Sequence, residues 1–246
     1  QDDIMSKIRI AKEKSLVIDG HAPGLTGESL HKYVGAGIST DHECSTIQEA
    51  MEKAELGMKI LIREGSAAKN LDALAEMLRI KPQSVMLCSD DLHPEMLEKG
   101  HINRLVAGLI RKGYDRFDVL RAATVNPAEH YGLDTGLLRP GDRADFVVVD
   151  NLEEMNVLQT WIDGVCVFDG NEVKFAPGEV RKINNFRCNR ISAGEIAVKR
   201  ESAEMRVIVA RNGELLTGTE IVRTGEESFI ASDISRDILK MVVKER

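Results

Sequence analysis

Three short apolar runs each end on side chains able to hold a divalent metal. SLVIDGH ends on His21, GAGISTDHE on His42 flanked by Asp41 and Glu43, and SVMLCSDD on Asp90 and Asp91. Neutral imidazole and carboxylate together suit zinc, iron or manganese. A metal of that kind lowers the pKa of a bound water from about 15.7 toward about 7. A neighbouring carboxylate such as Asp90 can then take the water's proton and pass it to a leaving group. The chemistry these residue types support is metal-assisted hydrolysis. Singly, each has a plainer reading. An isolated histidine is most often a hydrogen-bonded packing or surface residue, and His31, His93, His101 and His130 are read that way. Asp91 equally suits the cap of a following helix. His21, His42 and Asp90 stand apart because they close successive strands at the same end.

The elements that must position them alternate. QDDIMSKIRIAKEK has the spacing of an amphipathic helix and leads into a strand over Leu16–Ile18. A short helix is expected from about Glu28 to Val34. TIQEAMEKAELG is expected to be helical, capped by Ser45 or Thr46 and ending on Gly57. MKILIREG is a further apolar run with no evident ligand. A helix from about Ala67 to Leu78, closed by Pro82, precedes SVMLCSDD. HPEMLEKGHINRLVAGLIRKG reads as helix with a break at Gly100, and FDVLRAATVNPAEHYG as helix with a kink or fresh start at Pro127. Residues 15–132 thus alternate β and α four times, which predicts a parallel sheet with right-handed crossovers. Carboxyl-terminal strand edges are where such folds place chemistry.

From Leu133 the texture changes. A strand over Phe146–Val149, then TWIDGVCVFDG and NEVKFAPGEV with an Asp169–Gly170–Asn171 turn, predict a small antiparallel β unit. RKINNFRCNRISAGEIAVK reads as a linker. Alternating strands resume around an Asn212–Gly213 turn, and DILKMVVKER reads as an apolar strand still in progress. A helix ahead of the first strand and an unfinished strand at the end predict a piece of a larger protein.

Composition bounds the partners. The 246 residues are 43% hydrophobic and 30% charged, as in globular chains, and can build one large domain or two ordinary ones. A net charge of −7 without a basic stripe, and only 4% aromatics, argue against nucleic acid. No apolar run approaches the roughly 20 residues that span a bilayer, and no basic-then-apolar leader is present. Cys44, Cys88, Cys166 and Cys188 are scattered without a CxxC pair, which predicts reduced thiols of a cytoplasmic protein.

Taken in order, DGHAPGL, STDHE, CSDDLHP, AATVNPAEHYGL and GLLRPGDRADFVVVD resemble the amidohydrolase superfamily, and within it most closely the adenine deaminase family. The resemblance covers nearly the whole chain. It implies an α/β fold: the second half of a metal-dependent (β/α)8 TIM barrel over 1–132, a small β-sandwich segment over 133–180, and the start of a further C-terminal domain over 181–246. It implies His21 as the ligand from barrel strand five, His42 from strand six, and Asp90 from strand eight, with Asp90 also the proton shuttle. Asp91 is expected at the purine, and Glu43 either behind the metal ligands or in a purely structural role. The implied reaction is attack of metal-activated water on the amino-bearing carbon of adenine, giving hypoxanthine and ammonia. The implied cofactor is a divalent metal (manganese, iron or zinc), binuclear in the complete enzyme. The family's first-strand H-x-H pair and bridging carboxylate have no counterpart here, so the chain alone is expected to be inactive. It is also expected to pair with another copy or with a chain supplying the missing half, or to be poorly soluble. Two further readings are a cyclic amidase of the dihydroorotase or hydantoinase kind and a non-catalytic scaffold.

Overall fold

The computed structural model describes residues 2–176, 178–179, 183, 188–212 and 216–243. The chain forms two compact units, Gln1–Ala176 and Pro177–Arg246. Residues 133–176 of the expected β-sandwich segment over 133–180 fall in the first unit.

The first unit opens on α1 (Asp2–Glu13) and α2 (Gly27–Gly35). It continues with β1 (Thr40–Asp41), α3 (Ile47–Glu55), β2 (Lys59–Arg63), α4 (Leu71–Leu74), α5 (Met77–Ile80) and β3 (Val85–Cys88). Then come α6 (Pro94–Leu97), α7 (Ile102–Arg111), α8 (Arg116–Ala123) and α9 (Val125–Tyr131). The strands β1, β2 and β3 lie side by side in that order, all parallel, with Thr40 opposite Lys59, Ile60 opposite Val85 and Arg63 opposite Cys88. Ile60, Ile62, Val85 and Leu87 are buried and pack with Ala50 and Ala54 of α3, Met77 and Leu78 of α5, Val106 and Leu109 of α7, and Val119 and Ala122 of α8. Near-continuous apolar strands are what a parallel sheet covered by helices requires. Each fully buried isoleucine contributes roughly 1.5–3 kcal/mol.

Four parallel strands were expected and three form. Residues 16–20 run beside β1 without joining its ladder. Ser39 N–H donates to the Ile18 carbonyl at 3.0 Å, but Gly20 N–H turns to the Thr40 hydroxyl at 3.1 Å, so a side chain replaces the next backbone acceptor. The helix expected over 67–78 is two short ones. At the joint, Leu78 N–H and Arg79 N–H bond to Ala75 and Glu76, three residues back, and the helix tightens there. The fresh start expected at Pro127 occurs at Val125. Gly100, at φ +140°, does break the segment between α6 and α7.

Beyond α9, β4 (Phe146–Val149), β5 (Val157–Ile162) and β6 (Val165–Phe168) make one antiparallel sheet. Its tightest turn is Asp163–Gly164, with φ of +52° and +75°, the left-handed pair that a two-residue hairpin needs. Asp169–Gly170–Asn171 turns the chain as well, but only into an isolated bridge between Phe168 and Val173, so no strand forms over 171–180 among the described residues. Met155, at the loop before β5, is buried with the residues of the parallel sheet.

In the second unit, β7 (Val198–Lys199) pairs with β10 (Phe229–Ile230), and β8 (Glu204–Val209) with β9 (Gly218–Arg223), both antiparallel. Gly213 of the expected Asn212–Gly213 turn, residues 181–182 and 184–187 of the expected linker over 181–199, and residues 244–246 lie outside the described residues. The closing segment expected as a strand carries only a bridge at Ile238, with no strand over 239–243. No helix among the described residues is long and apolar enough to cross a membrane.

Candidate metal centre

At the carboxyl-terminal edge of the sheet, β1 delivers His42 and Glu43, β2 ends on Arg63, and β3 leads into Asp90 and Asp91. The loop after residue 20 brings in His21. The His21 and His42 rings meet edge to face with centroids 5.2 Å apart. Glu43 Oε1 lies 3.6 Å from His21 Nδ1 and 3.3 Å from His42 Nε2. Donor atoms of His21, His42 and Glu43 all fall within 4.8 Å of one another. Asp90 stands next to this group, its Oδ2 3.9 Å from His42 Nε2. Asp91 lies further along, its Oδ1 3.7 Å from Arg63 Nη2 and its Oδ2 accepting from Ala67 N–H at 3.3 Å.

Arg63 joins the carboxylates. Its Nη1 donates to Glu43 Oε1 at 2.6 Å and pairs with Asp90 Oδ2. The run over 58–65, read as carrying no ligand, thus supplies the cation of the site. Asn70 fixes the same corner from below. Its Oδ1 accepts Arg63 N–H at 2.8 Å, and its amide donates to the carbonyls of His42 at 3.3 Å and Cys44 at 3.1 Å.

Exposure sorts these residues. Glu43 and Arg63 are buried, His42 is 26% exposed and Asp90 37%, while His21 is open to solvent at 65%. Asp90 adopts φ +46°, a left-handed conformation that asparagine and aspartate tolerate best and that gathers at functional turns. Among the described residues Glu43 Oε2 and Arg63 Nε are buried without a partner. Glu43 Oε1, the oxygen beside both imidazoles, already accepts from Arg63, while its other oxygen is the one left without a partner. Two imidazoles and a carboxylate together fit a divalent cation, because nitrogen and oxygen donors are the set such ions take. Glu43, expected behind the ligands or as a structural residue, has a carboxylate oxygen within 4.8 Å of donor atoms on both imidazoles.

A second acidic group lies beneath. Asp41, Cys44 and Glu49 are all buried with donor atoms within 4.8 Å. Its cation is already present, because Lys53 Nζ donates to Asp41 Oδ2 at 2.7 Å and to Glu49 Oε1 at 2.6 Å. Burial alone pushes Asp41 up and Lys53 down. Their mutual hydrogen bond and charge, with the hydrogen bonds from Lys53 to Glu49 and from Cys44 and Ala22 to Asp41, outweigh it, holding Asp41 below the usual carboxylate range and Lys53 above the usual ammonium range. Three of the other four histidines have polar neighbours outside this group: His101 Nε2 lies 2.8 Å from Ser89 Oγ, His93 Nδ1 3.4 Å from Glu95, and His130 Nε2 3.5 Å from Ser39 Oγ.

The model of the amidohydrolase family matches residues 1–167. An adenine deaminase of Methanosarcina mazei is 49% identical over 258 aligned residues, covering 99% of this chain and 46% of that protein. One from Methanosarcina acetivorans is 50% identical over 256 residues, and one from Salinibacter ruber 46% over 245. The chain spans about half the length of these relatives, between 45% and 46%. Among solved structures, a β-aspartyl dipeptidase from Fervidobacterium islandicum AW-1 superposes with a TM-score of 0.54 at 18% identity. That match covers 72% of this chain and 54% of the dipeptidase and bears on fold alone.

Proposed function

This chain belongs to the amidohydrolase family, and we propose that its rim cluster is part of a metal centre that deaminates adenine. What carries the reading is the meeting of two imidazoles with Glu43 and Asp90 at one sheet edge. The adenine deaminases that match nearly the whole chain support it further. His21 and His42 would hold a divalent cation (manganese, iron or zinc), with Asp90 and Glu43 as carboxylate donors. When bound, such a cation lowers the pKa of a water from about 15.7 toward about 7.

The chain's own groups do the rest. Arg63 orients Asp90 by pairing with its Oδ2. Asp90 takes the water's proton and returns it to the departing amino nitrogen, so that adenine and water give hypoxanthine and ammonia. Asp91, on the same turn, is assigned to the purine. In this reading 1–132 is the barrel portion, 133–180 the β-sandwich segment and 181–246 the start of a C-terminal domain. A two-metal centre needs more ligands than this cluster supplies. The 246 residues alone are therefore expected to fall far below the roughly 1–1000 turnovers per second of ordinary enzymes.

A chimera tests the activity. This chain replaces the matching stretch of the Methanosarcina mazei adenine deaminase, with and without Asp90→Asn. The chimera is expected to release ammonia in step with adenine loss, and Asp90→Asn to slow it at least about 100-fold. A folded, metal-loaded chimera inert toward adenine would overturn the reading.

A further inference from the structure

We propose that Lys53 is a positioning residue for the metal centre: through one buried ammonium it sets the separation of the two imidazole-bearing loops. This rests on the metal reading of His21, His42 and Glu43.

Lys53 is completely buried, and all three of its ammonium protons are used. They go to Asp41 Oδ2 at 2.7 Å, to Glu49 Oε1 at 2.6 Å and to the Ala22 carbonyl at 2.7 Å. Ala22 follows His21 in the chain, and Asp41 precedes His42. The same cation therefore grips the residue next to each imidazole. Asp41 closes the link, its Oδ1 accepting the N–H of Ala22 and of Glu43, both at 3.1 Å. The rest of α3 acts on the same two loops. Glu49 Oε1 accepts Gly24 N–H at 2.7 Å and its Oε2 accepts Ser45 N–H at 3.1 Å, while Glu52 Oε1 accepts Gly27 N–H at 2.6 Å. One helix face thus holds the His21 loop and the His42 loop in a common frame.

Stability alone does not explain this arrangement. Exchanging a buried ion network for apolar residues of similar volume is often neutral or favourable. Metal ligands, in contrast, must be held within about 0.5 Å of their working geometry by the groups behind them.

Charge and position predict opposite signs, which makes the role testable. Two carboxylates and one ammonium give the group a net charge of −1. Lys53→Met leaves −2 beneath the site, which on electrostatics alone tightens cation binding. Asp41→Asn with Lys53→Met restores −1 but still removes the clamp. Zn2+ is titrated calorimetrically into the whole chain, wild type and both variants, with cooperative thermal unfolding checked for each.

The positioning role predicts Zn2+ affinity weaker by about 10- to 100-fold in both, the range for loss of an outer partner of a metal ligand. Folded variants that bind Zn2+ as tightly as wild type, or more tightly, overturn it. So does failure of both variants to fold, which would make the network a folding determinant alone. If the wild type itself binds no Zn2+, the metal reading falls and takes this role with it, a failure visible without either variant.

Discussion

Arg63 Nη1 donates to Glu43 Oε1 at 2.6 Å, and both side chains are sealed from solvent. Removing one partner of such a pair strands the other charge in a poorly solvated place, at a cost of about 3–5 kcal/mol. Arg63→Met strands Glu43, whose other oxygen already lacks a partner, and also releases Asp90. Glu43→Gln leaves Arg63 beside Asp90 and Asp91. Urea unfolding is therefore expected to show the larger loss for Arg63→Met, near the upper end of that range. Equal losses would mean that Asp90 and Asp91 give Arg63 no compensation.

Asn70 yields a sharper substitution. Its amide nitrogen faces the carbonyls of His42 and Cys44 at 3.3 and 3.1 Å. Asn70→Asp puts an acceptor where a donor is needed, aiming oxygen at oxygen in a buried corner. The expected loss is about 1–3 kcal/mol, the ordinary cost of a buried polar group without a partner. Thermal unfolding at pH 7 checks it, and a melting temperature unchanged from wild type would mean that this corner rearranges freely.

The sequence made some of this legible. Apolar runs closing on His21, His42 and Asp90 could be read directly, because strand ends and chemistry coincide in α/β folds. Helix α3 announced itself by Thr46, whose hydroxyl accepts Glu49 N–H at 3.3 Å, and by Gly57 after its end. Arg63 was not legible, because a cation closing an apolar run is as often solvated as buried. Lys53 was hidden more deeply. On an amphipathic helix a lysine is assigned to the wet face, and only the folded loops reveal that three acceptors surround it. Glu43 sits beside His42, so its identity was evident and its direction was not. The first strand failed for a local reason, a threonine hydroxyl standing in for a backbone acceptor.

The thiols should separate by burial. Cys44 and Cys88 are shielded, and burial, more than the neighbouring carboxylates Asp41 and Asp90, pushes both thiols up, Cys88 to about 12. A raised pKa leaves little thiolate at pH 8, and thiolate is the reactive form. Cys188 is exposed. Ellman's reagent followed by peptide mass spectrometry is expected to mark Cys188 first and to reach Cys44 and Cys88 only with denaturant. Early modification of Cys44 would mean that the Asp41–Lys53 network it bonds to opens readily.

Gly20 sets how closely the His21 loop approaches the sheet. A methyl group there would overlap the Thr40 carbonyl oxygen and lie 2.6 Å from the Ile38 side chain and 2.8 Å from the Tyr33 hydroxyl. The carbonyl belongs to β1 and cannot swing aside as a flexible side chain would. Tyr33 Oη also accepts His21 N–H at 3.0 Å, so displacing it frees the candidate ligand's own backbone. Gly20→Ala is expected to cost about 1–3 kcal/mol, as overpacking does, and to weaken Zn2+ binding in the same protein. Tyr33→Phe removes only the hydroxyl, whose bond contributes about 0.5–1.5 kcal/mol. Denaturant unfolding and Zn2+ calorimetry on the two variants separate the effects. If Gly20→Ala loses stability but keeps full affinity, the loop tolerates a shift of its root without moving the imidazole.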